Sequence, residues 1–166
     1  MVDRDHIAIC HQAFQIRMAR AEDAGAISDC LQAAFARHRD EYSPEAYADT
    51  VPDTNGVSRR MREMCLFVAI SEGKIVGTVG CVAKEEEGHL RGMAVMPEWQ
   101  RKVVGSGLLA IAETELKKHG CRRITLDTTE PLLRAIQLYE NHGYSASGRV
   151  QDFFGMALYE YRKILL

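Results

Sequence analysis

The clearest alternation of apolar and polar positions begins at Cys65. CLFVAI (65–70) is a short apolar run, SEGK (71–74) is a turn, and IVGTVGCVA (75–83) is a second apolar run. Two such runs joined by a short glycine-containing link predict an antiparallel hairpin. A charged turn, KEEEG (84–88), leads into a third strand, HLRGMAV (89–95), which Pro97 closes because proline has no N–H to give a ladder. Upstream, residues 1–14 form a lead without clear pattern, and 15–19 read as a first strand. Ile27, Leu31, Ala34 and Phe35 recur at helical spacing and predict one helix over 21–39. Ser43 followed by Pro44 reads as an N-cap and first helical position of a short second helix. VPDTNG (51–56) is turn chemistry, and 57–64 reads as helical. Downstream, Val104, Leu108, Ile111 and Ala112 share one face of a helix over 105–119, with Gly120 as its C-terminal glycine. RITLD (123–127) predicts a strand, 132–142 a helix ended by Gly143, and the tail two more strands, ALYEYRKIL (157–165) being the last.

This order is not the strict alternation of a doubly wound fold. It predicts an α+β class, with helices packed on a mixed, largely antiparallel sheet. A chain of 166 residues fits a single domain over 1–166. Net charge is −2, the sequence pI is about 6.3, and no long run has one sign, so a nucleic-acid partner is not suggested. The five cysteines, at 10, 30, 65, 81 and 121, are odd in number and none is spaced C-x-x-C. That argues against a disulfide framework and a thiolate zinc site, and for reduced thiols in a cytoplasmic protein. Cys81, inside an apolar run, reads as core. MVDRDHIAIC is not a signal peptide, and no apolar run of 18 residues predicts a membrane span.

The most informative chemistry lies in VMPEWQRKVVGSGLL (95–109), where a strand ends and a glycine-flanked helix begins. The first turn of a helix has free N–H groups and roughly half a unit of positive charge, which suits a pyrophosphate. Gly105 and Gly107 would let a ligand approach closely, and Arg101 and Lys102 add charge; the other reading is that the glycines only soften a turn. The dinucleotide fingerprint lacks its glycine-rich βαβ opening, and the P-loop pattern is absent.

MAV (93–95), followed after a short turn by Gln100-Arg101-Lys102-Val103-Val104-Gly105-Ser106-Gly107, resembles motif A of the GNAT superfamily of N-acetyltransferases. AIQLYENHGY (135–144) resembles a second motif of that family, in the right order and at about the right distance. The resemblance is specific from Leu66 to Tyr144. Two positions depart from it: Val103 stands where the motif has its first glycine, and Leu132 where an asparagine is common.

The resemblance implies a GNAT-like sheet of six to seven strands with helices on both faces, and acetyl-CoA as co-substrate, without a metal. It places the cofactor against Met93, Ala94, Val95, Gln100, Arg101, Lys102, Val103, Val104, Gly105, Ser106, Gly107 and Tyr139. The Met93 amide would face the thioester carbonyl, the Val95 backbone the pantetheine arm, and the amides from Arg101 to Ser106 the pyrophosphate. The implied activity is acetyl transfer to an amine by direct attack in a ternary complex. A non-catalytic acyl-CoA-binding module is the alternative that Val103 and Leu132 leave open. Catalytic candidates are His89, where relatives often carry a glutamate; Glu87 as a second base; and Tyr139, facing the departing sulfur. His89 also reads as a plain strand-surface histidine. The acceptor, a small molecule or a protein amine, would meet residues 28–62, which offer Asp29, Asp40, Glu41, Tyr42, Glu45, Tyr47, Asp49 and Asp53. A homodimer is left open.

Overall fold

The computed structural model of the chain describes residues 13–100, 103–130 and 132–165. Its elements are β1 (Gln15–Met18), α1 (Ala24–Phe35), α2 (Pro44–Thr50), α3 (Thr54–Glu63), β2 (Cys65–Ser71), β3 (Lys74–Lys84), β4 (Glu87–Val95), α4 (Val104–Lys118), β5 (Arg123–Thr128), α5 (Leu133–Asn141), β6 (Ser145–Phe153) and β7 (Met156–Ile164). The strands form one seven-stranded sheet in the order β1-β2-β3-β4-β5-β7-β6. β4 and β5 run parallel; the other neighbouring pairs are antiparallel. β7 therefore lies between β5 and β6, although it follows both in the chain.

Side chains alternate across the sheet, and each face has its own apolar core. Phe67, Val79, Cys81, Leu90, Ile124 and Leu126 pack with Leu108, Leu109, Ala112 and Leu116 of α4. Leu66 and Val68, one residue out of step, face the other way and pack with Ile27 and Leu31 of α1 and Val57 of α3. Helices on both faces follow from these two period-2 sets. Burial pushes the Cys81 thiol up to about 12, so it stays protonated in the core. Cys10 lies outside the described residues; Cys30, Cys65, Cys81 and Cys121 are free thiols. Among the described residues no helix is long and apolar enough to cross a membrane.

Two boundaries differ from the sequence pattern. The helix expected over 21–39 is a 3-10 turn (Ala21–Asp23), then α1, then a second 3-10 segment (Ala36–Glu41). The buried Asp23 side chain causes the first break. It accepts from the Arg20 N–H at 2.7 Å and from both ends of the Arg17 guanidinium, at 2.7 and 3.1 Å, which holds the entry turn tight. After Phe35 the run ARHRDE has only Ala36 as an apolar residue, and it is exposed, so the buried stripe does not continue. VPDTNG is not a free turn either. Asp53 caps α3, its Oδ1 accepting from the Gly56 N–H at 2.8 Å, so Thr54, Asn55 and Gly56 form the first helical turn. The residues that favour turns also favour helix caps.

Arg17 holds the Asp23 carboxyl below its usual range. A lowered folded-state pKa stabilises the fold above the unfolded value, near 3.9, and the benefit is lost as pH falls through the folded value. Asp23→Asn is therefore expected to cost about 1–3 kcal/mol near neutral pH. That cost should shrink steadily below about pH 4. Urea denaturation of both proteins across this range checks it; a pH-independent difference would remove the ion pair as the cause.

Candidate active site

The site originates in how β4 and β5 part. They pair only over Glu87 to Leu90 against Arg123 to Leu126, and beyond that point they diverge. On its other side β4 carries an irregularity: Arg91 faces Gly80, but Ala94 faces Thr78, so β4 holds one extra residue. Gly92 sits in this bulge with φ +68°, a left-handed conformation that suits glycine. A bulge bends its strand and raises the local twist. It also flips the alternation. Leu90 belongs to the α4 core, whereas Ala94 joins the α1 core and Met93 and Val95 turn toward α4.

A cavity of about 430 Å³ opens at this divergence. β4 contributes His89, Arg91, Gly92 and Met93; β5 and its exit contribute Leu126, Asp127, Thr128 and Thr129. Tyr139 of α5, Tyr42, Asp49 of α2 and Arg60 of α3 complete the polar lining. Its roof is tied down from distant parts of the chain. The Ser43 hydroxyl donates to the Phe154 carbonyl at 2.8 Å, joining α2 to the β6–β7 turn. The Ser28 hydroxyl donates to the Pro52 carbonyl at 2.8 Å, joining α1 to the α2–α3 link.

His89 and Tyr139 both reach the cavity. The His89 ring bonds through Nδ1 to the Thr125 hydroxyl at 2.9 Å, while Nε2 lies 3.7 Å from Asp127 Oδ2. Burial raises the Asp127 carboxyl above its usual range, and His89 opposes the rise. Tyr139 is buried and packs edge-on against Tyr144, with ring centroids 6.0 Å apart. Burial drives its phenol to a higher pKa, with a smaller push from Tyr42, so it is a neutral donor across ordinary pH. Glu87 is not brought to the cavity. It sits at the paired end of β4, where the Arg123 Nε donates to its carboxylate at 3.0 Å.

Two hydroxyls differ in kind. Thr129 shares a 2.8 Å hydrogen bond with the Tyr42 phenol. Thr128 Oγ1 is buried and has no hydrogen-bond partner among the described residues. A buried hydroxyl left unpaired costs about 1–3 kcal/mol, so one that lines a cavity marks where a ligand would complete it.

At the other end of the gap, α4 begins at Val104. The amides of its first turn, including Val104, Gly105 and Ser106, have no intrahelical acceptor. The Gly107 N–H is committed to the Val103 carbonyl at 3.0 Å. A Cβ on Gly105 would lie 2.9 Å from Leu138 Cδ2, and one on Gly107 would lie 3.0 Å from Ile16 Cδ1. These glycines make room for α5 and β1, a packing role that the sequence pattern did not show. Val103 needs no glycine for its backbone conformation, which is at φ −82°, ψ 7°, and the residue is 65% exposed. Gln100 donates to the Val95 carbonyl at 3.0 Å and accepts from Arg37 at 2.9 Å, bracing the turn between β4 and α4. Arg101 and Lys102 lie outside the described residues.

Of the acidic and aromatic residues expected to meet an acceptor, Tyr42 and Asp49 line the cavity. Sequence reasoning missed Arg60, Arg91, Asp127, Thr128 and Thr129. Period-2 alternation already puts Arg91 on the face of His89, and Asp127 and Thr128 end the strand next to it. Arg60 had no such signal. Its guanidinium donates to the Asp49 carbonyl, and burial together with Arg91 pulls its pKa down to about 10.

Comparisons with known proteins bear on the family and the fold. The acetyltransferase (GNAT) family profile matches residues 27–144. N-alpha-acetyltransferase 30 of Dictyostelium discoideum is 26% identical over 109 residues, which is 62% of this chain and 57% of that protein. Spore coat polysaccharide biosynthesis protein SpsD of Bacillus subtilis is 35% identical over 82 residues, 48% of this chain and 28% of that one. The chain thus spans little more than half the length of the first and under a third of the second. In fold it is similar to the PaiA N-acetyltransferase of Thermoplasma acidophilum, solved with coenzyme A. The TM-score is 0.77 at 17% identity, over 92% of this chain and 99% of that one.

The bulge itself can be tested. Gly92→Ala forces a side chain into left-handed backbone and sets its Cβ 3.2 Å from the Arg60 guanidinium. The expected loss is about 1–2 kcal/mol in urea denaturation. Gly92→Asn, which tolerates that backbone better, should cost less. Equal losses would assign the effect to the Arg60 contact alone.

Proposed function

The chain belongs to the acetyltransferase (GNAT) family, and from that membership we propose that it transfers an acetyl group from acetyl-CoA to an amine, by direct attack while both substrates are bound. The observation that carries this reading is the gap between β4 and β5: it opens at the Gly92 bulge, with a cavity at its mouth and free helix amides beyond Val95.

The residues fit the co-substrate. The first-turn amides of α4 suit a pyrophosphate through hydrogen bonds and the helix dipole. The diverging part of β4 offers backbone to an extended pantetheine arm, as a strand edge does. The unpaired Thr128 hydroxyl at the gap is a group that a ligand would satisfy. Val103, exposed and in ordinary backbone, offers no obstacle at the helix start.

The chemistry follows from these groups. The amine must attack as a neutral nucleophile, and an amine of ordinary lysine-like pKa costs about 4–5 kcal/mol to deprotonate at neutral pH. His89, with Asp127 beside it and Thr125 fixing its ring, is the base that takes this proton; Glu87, held by Arg123, is not. Nitrogen bonds to the thioester carbon, and the oxyanion accepts a hydrogen bond from the β4 backbone at Met93. The C–S bond then breaks, leaving an amide and the thiolate of coenzyme A. Even at ordinary values, proton transfer from a phenol to a thiolate is uphill by about 2 kcal/mol. Burial of Tyr139 makes that transfer harder still. Tyr139 therefore acts by donating a hydrogen bond to sulfur as the bond breaks, and solvent or the spent base supplies the final proton.

Two measurements test the reading. Acetyl-CoA at about 100 times its Kd should stabilise the protein by about 2.7 kcal/mol in thermal unfolding, and thiol release should follow on adding an amine. Stabilisation without release from any amine would favour the binding module. Tyr139→Phe should lower kcat about 10- to 100-fold with little change in acetyl-CoA affinity. Unchanged turnover would remove Tyr139 from the reaction.

A further inference from the structure

We propose that the acceptor amine carries its own carboxylate, which Arg60 and Arg91 receive at one end of the cavity while the amine lies against His89 and Asp127 at the other. This inference rests on the acetyl-transfer reading and names the substrate class of the same site.

The argument is one of charge placement. Besides the phenols of Tyr42 and Tyr139, five titratable side chains among the described residues line the cavity: Asp49, Arg60, His89, Arg91 and Asp127. Their close ion pairs fall into two groups. At one end, Arg91 Nη2 binds Asp49 Oδ2 at 2.9 Å, which satisfies that carboxylate. Arg60 binds Asp49 only through its main-chain carbonyl, at the C-terminal end of α2. Among the described residues no carboxylate lies within ion-pair distance of Arg60. Two cations and one anion leave this end one positive charge in excess. At the other end His89, at 3.7 Å, is the one cation among the described residues within ion-pair distance of Asp127, while Arg91 and Arg149 act on that carboxylate from farther off; the histidine side must receive the amine for reaction.

A half-buried guanidinium with one bond to a neutral carbonyl is costly unless a counter-charge joins it. Its remaining donors point at the reacting strand: Nη1 lies 3.2 Å from where a Gly92 Cβ would stand. Guanidinium presents a planar fork that matches a carboxylate. One excess charge suits a monoanion better than a doubly charged phosphate. Arg91 and His89 are two residues apart on one face of β4, so the two ends are separated by one strand repeat, about 6.5–7 Å. That span suits a compact amino acid. A polycation would place a second ammonium beside Arg60 and Arg91, and repulsion disfavours it.

Arg60 also completes the end of α2, so its loss has a structural side, and the test compares substrates within one protein. Thiol release from acetyl-CoA is measured with matched pairs: an α-, β- or γ-amino acid against its own carboxamide, with a diamine of similar length as the third arm. The wild-type protein should favour one carboxylate-bearing amine over its amide by about 10- to 100-fold in kcat/KM, mainly through KM. In Arg60→Gln this ratio should fall toward one, and Arg60→Lys should keep part of it. Equal use of acid and amide, preference for the diamine, or a ratio unmoved in Arg60→Gln would each overturn the proposal while leaving acetyl transfer intact. Acetyl-CoA binding with no release from any carboxylate-bearing amine overturns it too. Absence of both acetyl-CoA binding and release fails the underlying reading instead.

Discussion

One extra residue in β4 organises everything that follows it. With Gly92 in left-handed backbone, the strand bends, its alternation inverts, and its pairing with β5 ends at Leu90. The sheet on either side is ordinary: two apolar cores, each fed by alternate residues, pack a helix layer on each face. Without the slip, β4 and β5 would continue as a closed parallel pair and the sheet would have no mouth. The bulge thus converts a sheet that only supports helices into one that holds a gap. The cost is a strained position that glycine carries with little penalty.

The gap joins two chemically distinct ends. Toward α4 the available groups are backbone amides, which need only a correct helix start. Toward α1, α2 and α3 they are side chains: a histidine beside a partly exposed carboxylate, two guanidiniums, and the hydroxyls of Thr128, Thr129 and Tyr42. Burial acts on these unequally. It lifts the Asp127 carboxyl and the Tyr139 phenol and lowers the Arg60 guanidinium, in each case against the charged form. A half-dry pocket of this kind strengthens every contact a substrate makes inside it.

Much of this was legible in the sequence because it depends on local pattern. The hairpin of β2 and β3, the α4 stripe and the tail strands all follow from spacing, and the motif around Gln100 to Gly107 marked where a helix start faces a strand end. What escaped was of two kinds. Residues with dual preference were misread: Asp53, Thr54, Asn55 and Gly56 spell a turn, yet they cap and begin α3. Residues brought in from afar were invisible: Arg60 reaches the gap because α3 packs on α1 and β2 and its long side chain extends to Gly92, and no spacing in one chain reports that. Gly105 and Gly107 were seen, but not their close packing against Leu138 and Ile16, which lie on other elements.

The place of β7 has a consequence for how the molecule comes into being. β6 precedes in the chain the strand it pairs with, and β7 pairs with both β6 and β5. Until residues through Ile164 have emerged, β5 keeps one unpaired edge, and the Phe154 carbonyl that Ser43 holds is not yet fixed in a finished hairpin. The roof and one wall of the gap therefore close in the same late event. A nascent chain gains a complete α4 core, which includes Leu165, and a shaped substrate pocket only once the long-range pairing of β5 with β7 is made, the slow kind of step that high-contact-order sheets impose.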